Sequence, residues 1–215
     1  VVLHNTKPAH ATYLGGKELT IKAVADRATG RLLGAQGIGP EGVDKRIDVL
    51  ATAITFGATA ADLFHLDLAY SPPFATTKDP VHYTGMALET AVRGRAPLIT
   101  PTDLEARLSN GERIQIVDVR AAKDYAKSHL PGAVNIPLGD LRRRVGELDP
   151  QAPTVTYCNK GVTGNAAQNL LLALGFTEVM NLSGGNSTYQ THTRQTRRAT
   201  SFPTSIKPGH LPHVL

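Results

Sequence analysis

The sequence predicts an α/β domain, a parallel sheet flanked by helices, preceded by an α+β domain. Three observations carry that reading. From Leu98 onward, short apolar segments alternate with helical patterns, and strands separated by helices mean a parallel sheet covered on both faces. Before Val92 the order is a hairpin followed by amphipathic helices, the pattern of a sheet with helices packed on it. Between the halves, Gly94-Arg95-Ala96-Pro97 interrupts the helical pattern and reads as a linker. The expected division is therefore 1–94, 95–190 and a tail, 191–215.

In the first half, residues 17–38 form the hairpin. Leu19, Ile21 and Ala23 alternate with Thr20 and Lys22, the stretch from Asp26 to Gly30 carries turn chemistry, and Arg31 to Ile38 return. Residues 42–56 form an amphipathic helix, since Val43, Ile47, Leu50 and Ile54 recur at helical spacing while Asp44, Lys45, Arg46 and Asp48 point elsewhere. Gly57 closes it. Ala60 to Leu63 add a turn, the prolines of Tyr70-Ser71-Pro72-Pro73-Phe74 bar a helix, and a second helix runs from about Val81 to Val92.

Gly37-Ile38-Gly39-Pro40-Glu41-Gly42 spells a GxGxxG dinucleotide fingerprint, and Asp62 follows at the usual distance. The physics is against it. The preceding strand belongs to a hairpin, Pro40 removes an N–H donor, and Glu41 puts negative charge where a pyrophosphate would sit. The glycines are expected to make a tight strand-to-helix turn, with Pro40 starting the helix.

In the second half, Leu98-Ile99 is a short strand, Thr102 caps a helix through Leu108, and Ile114 to Val119 is a buried strand. Tyr125 lies in a short helix, Ala133 to Ile136 is a strand, Leu138 to Val145 a helix and Thr154 to Tyr157 a strand. From Val162 the positions Val162, Ala166, Ala167, Leu170, Leu171 and Leu174 keep helical spacing until Gly175, and Glu178 to Leu182 is the last strand.

Composition narrows the function classes. The 215 residues are 41% hydrophobic and 19% charged, an ordinary globular balance. The start is not a signal peptide and no run approaches the ~20 apolar residues of a membrane span, so a soluble, cytoplasmic protein is expected. Of the net charge of +5, Arg194, Arg197, Arg198 and Lys207 contribute four in the acid-free tail. The body is thus nearly neutral, the basic tail is expected to be disordered, and no nucleic-acid or membrane partner is implied. One cysteine allows no internal disulfide, no CxxC exists, and the eight histidines are scattered, so no metal site is assigned.

That one cysteine, Cys158, ends the run Thr154-Val155-Thr156-Tyr157 and precedes Asn159-Lys160-Gly161-Val162-Thr163-Gly164. A lone cysteine can be a small core hydrophobe. At a strand-to-helix turn over the carboxyl edge of a parallel sheet, however, free amides and the helix dipole favour a thiolate. Successive N–H groups from Asn159 to Gly164 form a candidate nest for an anionic sulfur, and Gly161 permits the tight curve. Lys160 either adds charge for an anionic donor or is a solvated lysine.

The first ninety residues resemble the dimerisation domain of the pyridine nucleotide-disulfide oxidoreductases, in the coenzyme A-disulfide reductase and NADH oxidase branch. The match lies in Thr29-Gly30-Arg31-Leu32-Leu33-Gly34-Ala35-Gln36, Gly42-Val43-Asp44-Lys45-Arg46-Ile47-Asp48, Leu68-Ala69-Tyr70-Ser71-Pro72-Pro73-Phe74 and Lys78-Asp79-Pro80. The resemblance implies a homodimer, with Tyr70 reaching toward the partner subunit's active site near coenzyme A; a packed loop aromatic is the other reading. It also implies that the FAD and NAD(P)H domains lie upstream, that the opening strand and helix of this domain are missing, and that the chain binds no cofactor itself.

Residues 97–190 resemble a rhodanese domain. The resemblance rests on Asp118-Val119-Arg120, Asp124-Tyr125, His129 to Pro137 (HLPGAVNIP), the cysteine loop, Gly175-Phe176 and Asn181-Leu182-Ser183-Gly184-Gly185. It implies sulfur transfer, with Cys158 taking the outer sulfur of thiosulfate, polysulfide or a persulfide and passing it to a thiol-type acceptor, coenzyme A persulfide among the candidates. Asp118, Arg120 and Asp124 are expected to form a supporting polar network at the strand ends, His129 to satisfy backbone groups, and Gly184-Gly185 to turn beside the pocket.

One position departs from the family. Thr163 closes the six-residue loop where many active members carry arginine, which puts thiosulfate turnover in question and keeps a weakly catalytic binding or assembly module as the alternative. A phosphatase is excluded because its loop is longer and needs an arginine where Gly164 stands.

Overall fold

The computed structural model describes residues 1–94 and 97–201, the last five by backbone alone. Arg95 and Ala96 of the expected linker and the tail beyond Ser201 lie outside the described residues. Two sheets organise the chain, one antiparallel and one parallel.

The first sheet holds β1 (Val2–Pro8), β2 (Glu18–Ala25) and β3 (Leu32–Ile38) in that order, all antiparallel. β2 and β3 are the expected hairpin. The hairpin is preceded by a further strand, β1, which the local pattern does not show. Its core-facing positions are Leu3 and Asn5, and a polar residue at an inward position erases the alternation that marks a strand. Asn5 is buried because its amide donates to Pro80 O at 3.1 Å and Thr84 Oγ1 at 3.2 Å.

Three helices cover this sheet: α1 (Val43–Thr55), α2 (Ala60–His65) and α3 (Pro80–Val92). Gly42, at φ +65°, caps α1, so Pro40 lies in the turn and does not start the helix. The glycines there serve packing: a Cβ on Gly37 would stand 2.7 Å from Val43 Cγ1, and one on Gly39 2.7 Å from Leu19 Cβ. Glu41 accepts from Lys17 N at 2.7 Å.

Arg46 corrects the sequence reading of α1. It turns inward, 2% exposed, and donates to Asp79 Oδ2 at 2.7 Å and Ala9 O at 2.6 Å. Asp79 is also the N-cap of α3, its Oδ1 accepting from Val81 N at 3.0 Å. Periodicity assigns a charged residue to solvent, and only the facing helix reveals the carboxylate that makes its burial tolerable.

The second sheet is wholly parallel, in the order β4 (Leu98–Ile99), β8 (Val179–Leu182), β7 (Thr154–Tyr157), β5 (Gln115–Asp118), β6 (Val134–Asn135). Its helices are α4 (Pro101–Ser109), α5 (Ala122–Lys127), α6 (Leu138–Arg144), α7 (Val162–Ala173) and α8 (Gly185–Ser201). Every residue of β7 and β8 is buried. Alternate side chains feed two cores, one around Ile116, Val155 and Tyr157, the other around Val117, Ile136 and Leu171.

Three expectations shift here. Thr100, and not Thr102, caps α4, its hydroxyl accepting from Asp103 N at 3.2 Å with Pro101 at the first helical position. The buried stripe of α7 is Gly164, Ala167, Gln168 and Leu171, while Val162, Ala166 and Leu174 are exposed. Gln168 is buried because its amide donates to Pro97 O at 2.7 Å and Val179 O at 2.8 Å. The segment from 191, expected to be disordered, continues α8 through Ser201.

The two halves touch. Leu98 packs on the first core, His4 N donates to Ser183 Oγ at 2.8 Å, and Lys160 forms an ion pair with Glu18. Burial, then the charge of cross-strand Lys22, holds the His4 imidazole below its ordinary value. Between that lowered value and about 6.5 the unfolded chain binds a proton that the folded chain does not, so stability rises with pH through this window. The contribution is complete above the unfolded value and is lost as pH falls through the folded one. Denaturation midpoints measured from about pH 5 to 7 should flatten in His4→Gln; an unchanged slope assigns the effect to another group.

Candidate active site

Successive connections from β5 and β7 leave in opposite directions across the sheet, so the carboxyl ends of these neighbours form its switch point. Cys158 stands at that crevice, directly after β7 and 5% exposed. Gly161 N–H donates to Sγ at 3.1 Å, a bond that a sulfur anion accepts more strongly than a thiol. Gly161 is at φ +99°, which L side chains rarely adopt, and it caps the twelve-residue α7. Of the loop amides expected to cradle the sulfur, Gly161 is the one that bonds it, and the first turn of α7 adds the positive end of its dipole.

The loop is pinned from three sides. Cys158 O accepts from Asn186 N at 2.8 Å and Asn159 O from Ser187 N at 3.1 Å, both in the first turn of α8. Gly161 O accepts from Asn181 Nδ2 at 3.0 Å. Gly185 permits the approach of α8: a Cβ there would lie 2.3 Å from Cys158 O. Gly164 plays the same part for β8, where a Cβ would meet Asn181 Oδ1 at 2.4 Å. Gly184 and Gly185 are therefore close-packing positions as well as a turn.

From the β5 side, Arg120 supports the loop as expected. Its Nε donates to Asp118 Oδ1 at 2.9 Å, Nη2 to Asp118 Oδ2 at 2.6 Å, and Nη1 to Asn159 Oδ1 at 3.0 Å. Burial opposes the guanidinium charge, but hydrogen bonds to Asp118 and its negative charge outweigh that and raise Arg120 above its ordinary value. Asp124 does not join this network; it faces Lys127 at 3.7 Å on the surface. His129 stacks on Tyr125 at 4.1 Å, with Nδ1 3.0 Å from Tyr125 O, the structural part expected of it.

Residues 100–192 match the family model of the rhodanese-like domain, and residues 2–80 match that of the pyridine nucleotide-disulphide oxidoreductase dimerisation domain. The chain joins a rhodanese-like domain to a reductase dimerisation domain. Over 77 residues it is 51% identical to the NAD(P)H sulfur oxidoreductase (CoA-dependent) of Pyrococcus furiosus, covering 36% of this chain and 17% of that protein. The crystal structure of reduced Bacillus anthracis CoADR-RHD matches with a TM-score of 0.85 at 33% identity, over 91% of this chain and 35% of that one. The NAD-dependent persulfide reductase from A. fulgidus matches with a TM-score of 0.76 at 30% identity, over 88% of this chain and 34% of that one. The chain thus spans about a third or less of these relatives.

Cys158, Asn159, Gly161, Gly164, Asp118 and Arg120 lie together at this strand end, with Val162 and Thr163 exposed on the first turn of α7. Lys160 is neither free nor simply solvated, since it pairs with Glu18 of the dimerisation domain. Tyr70 is 53% exposed and lines a cleft with Lys7, Tyr13, Lys78 and Tyr83. Beside the loop, a cavity of about 230 Å³ opens between the two domains, lined by His4, Lys7, Tyr83, Lys160, Val162 and Asn181 among others. Asn186 and Lys7 were missed. Asn186 follows the Gly-Gly pair and was hidden by reading that pair as a plain turn; nothing near Lys7 in the sequence links it to Cys158. Among the described residues no cluster is fit to hold a metal ion, and no helix is long and apolar enough to cross a membrane.

Proposed function

We propose that the chain is a sulfurtransferase that carries sulfane sulfur as a Cys158 persulfide. The observation that carries this is Sγ at the amino end of α7, 3.1 Å from the Gly161 amide, on a loop fixed by β8, α8 and Arg120. The Cys158 thiolate attacks the outer sulfur of the donor, a new S–S bond forms, and the donor's own S–S bond breaks. Sulfite leaves thiosulfate with the electron pair, or a shortened polysulfide leaves polysulfide. An acceptor thiolate then attacks the outer sulfur, takes it as a new persulfide, and restores the Cys158 thiolate. The amide and helix dipole stabilise negative sulfur in both resting and loaded forms.

Relatives named for coenzyme A, persulfide and sulfur reduction support a thiol persulfide acceptor or donor, coenzyme A persulfide included, and the dimerisation domain supports a homodimer. FAD and NAD(P)H belong, in this reading, to reductase domains other than the two present here. Thr163, exposed where an arginine would hold thiosulfate, favours a second reading as a binding or assembly module.

Incubation with thiosulfate and separately with polysulfide should add one sulfur atom to the intact protein by mass spectrometry. Cys158→Ser should abolish the addition, and cyanide should strip it. No adduct from either donor sinks the enzyme reading and leaves the assembly module.

A further inference from the structure

The cavity between the domains has a chemical bias that the sulfur-transfer loop alone does not explain. No Asp or Glu lines it, while Lys7, Lys160 and the first residue of α7, Val162, do. The two lysines differ. Lys160 shares its charge with Glu18, whereas Lys7 makes no ion pair among the described residues and lies with its Nζ 4.0 Å from the centre of the Tyr83 ring. Lys7 is a β1 residue, so the dimerisation domain contributes it to a cavity whose other wall carries Lys160, Gly161 and Val162 of the cysteine loop.

We propose that this cavity binds a small dianionic sulfane-sulfur donor, with Lys7 of the dimerisation domain supplying the cation that the loop lacks at Thr163. The proposal rests on the sulfur-carrier reading of Cys158. About 230 Å³ suits thiosulfate or a short polysulfide and falls below the ~300–1,000 Å³ of pockets for larger ligands. The electrostatics agree. Burial, then Lys160, lowers the Lys7 ammonium from its ordinary range, and negative charge on Cys158 opposes that shift, so Lys7 feels both the second lysine and the reacting sulfur. A dianion between Lys7 and Lys160 relieves their repulsion and brings its outer sulfur to the amino end of α7. The bond changes are those given above; Lys7 binds the donor and takes no proton.

The full chain is the object of the test. Rates of persulfide formation on Cys158 are measured against thiosulfate and against tetrasulfide for wild type, Lys7→Gln and Lys7→Arg. Lys7→Gln should raise the half-saturating donor concentration about tenfold, and Lys7→Arg should restore most of it. An effect on one donor alone assigns the cavity to that donor. A second readout needs no sulfur transfer: alkylation of Cys158, the one cysteine, by anionic iodoacetate against neutral iodoacetamide. Relative to a small free thiol, wild type should favour iodoacetate, and Lys7→Gln should lose that preference.

If neither donor loads wild type, the sulfur-carrier reading fails, and the alkylation ratio still decides the anion site. Unchanged donor concentrations and an unchanged ratio in Lys7→Gln overturn the proposal. Should Lys7→Gln not fold, the wild-type ratio is followed with rising salt, which screens exposed charge; a ratio with no anion preference at low salt overturns it equally.

Discussion

Arg120→Ala should destabilise the rhodanese-like domain by roughly 3–5 kcal/mol, because removing one member of a buried ion pair leaves the other charge without compensation. Asp118 is fully buried, and Arg120 supplies it with three side-chain hydrogen bonds. The same guanidinium also donates to Asn159 Oδ1 and Ser128 O. The variant therefore loses the tie between the β5 end and the cysteine loop, and its sulfur loading should fall further than its stability alone explains. Arg143→Ala is the internal comparison. Arg143 pairs with Asp140 at 2.9 Å but is 76% exposed, and a solvated pair of that kind is worth under about 1 kcal/mol. Urea denaturation of both variants decides the point. Equal losses from Arg120→Ala and Arg143→Ala contradict the buried-pair account.

Gly185→Ala should slow the loading of Cys158 by a factor on the order of 10², the usual result of displacing a reacting group by about 1 Å. Gly185 is at φ +59°, and an added Cβ lies 2.3 Å from Cys158 O and 2.7 Å from Asn159 C. Both are backbone atoms of the cysteine loop, so the overlap is relieved only by moving α8 away from it. That movement breaks the bonds from Asn186 N and Ser187 N. Gly132→Ala separates strain from collision. Gly132 has φ +73° with nothing within 4 Å of an added Cβ, so it loses about 1 kcal/mol of stability and keeps its loading rate. If the two alanine variants load sulfur at the same rate, the close approach of α8 is not what holds the loop.

Much of this arrangement is legible in the sequence. The alternation of strands and helices after Leu98 fixed a parallel sheet, because buried parallel strands leave continuous apolar runs and their crossovers leave helical periodicity. Cys158 was placed at a strand-to-helix turn by Thr154 to Tyr157 before it and the glycine-bearing run after it. Arg120 was legible as a support, although its hydrogen bond to Asn159 was not. The features that the local pattern does not show share a cause. Arg46, Gln168 and Asn5 are polar residues on buried faces, each made tolerable by a partner distant in sequence: Asp79, the carbonyls of Pro97 and Val179, and Pro80 with Thr84. Periodicity assigns such residues outward, since it carries no information about remote partners.

By itself the sequence determined the two-part architecture and the strand-to-helix turn on which its one cysteine stands, since both follow from local patterns: periodicity, turn chemistry and one cysteine. Only the tertiary structure decided what surrounds that cysteine. It brought α8 against the loop through Gly185, set Glu18 on Lys160, and placed Lys7 of β1 across a cavity from Lys160 and Gly161. These are contacts between groups far apart in the chain, and the free energy that fixes them comes from packing and paired burial that no local stretch encodes.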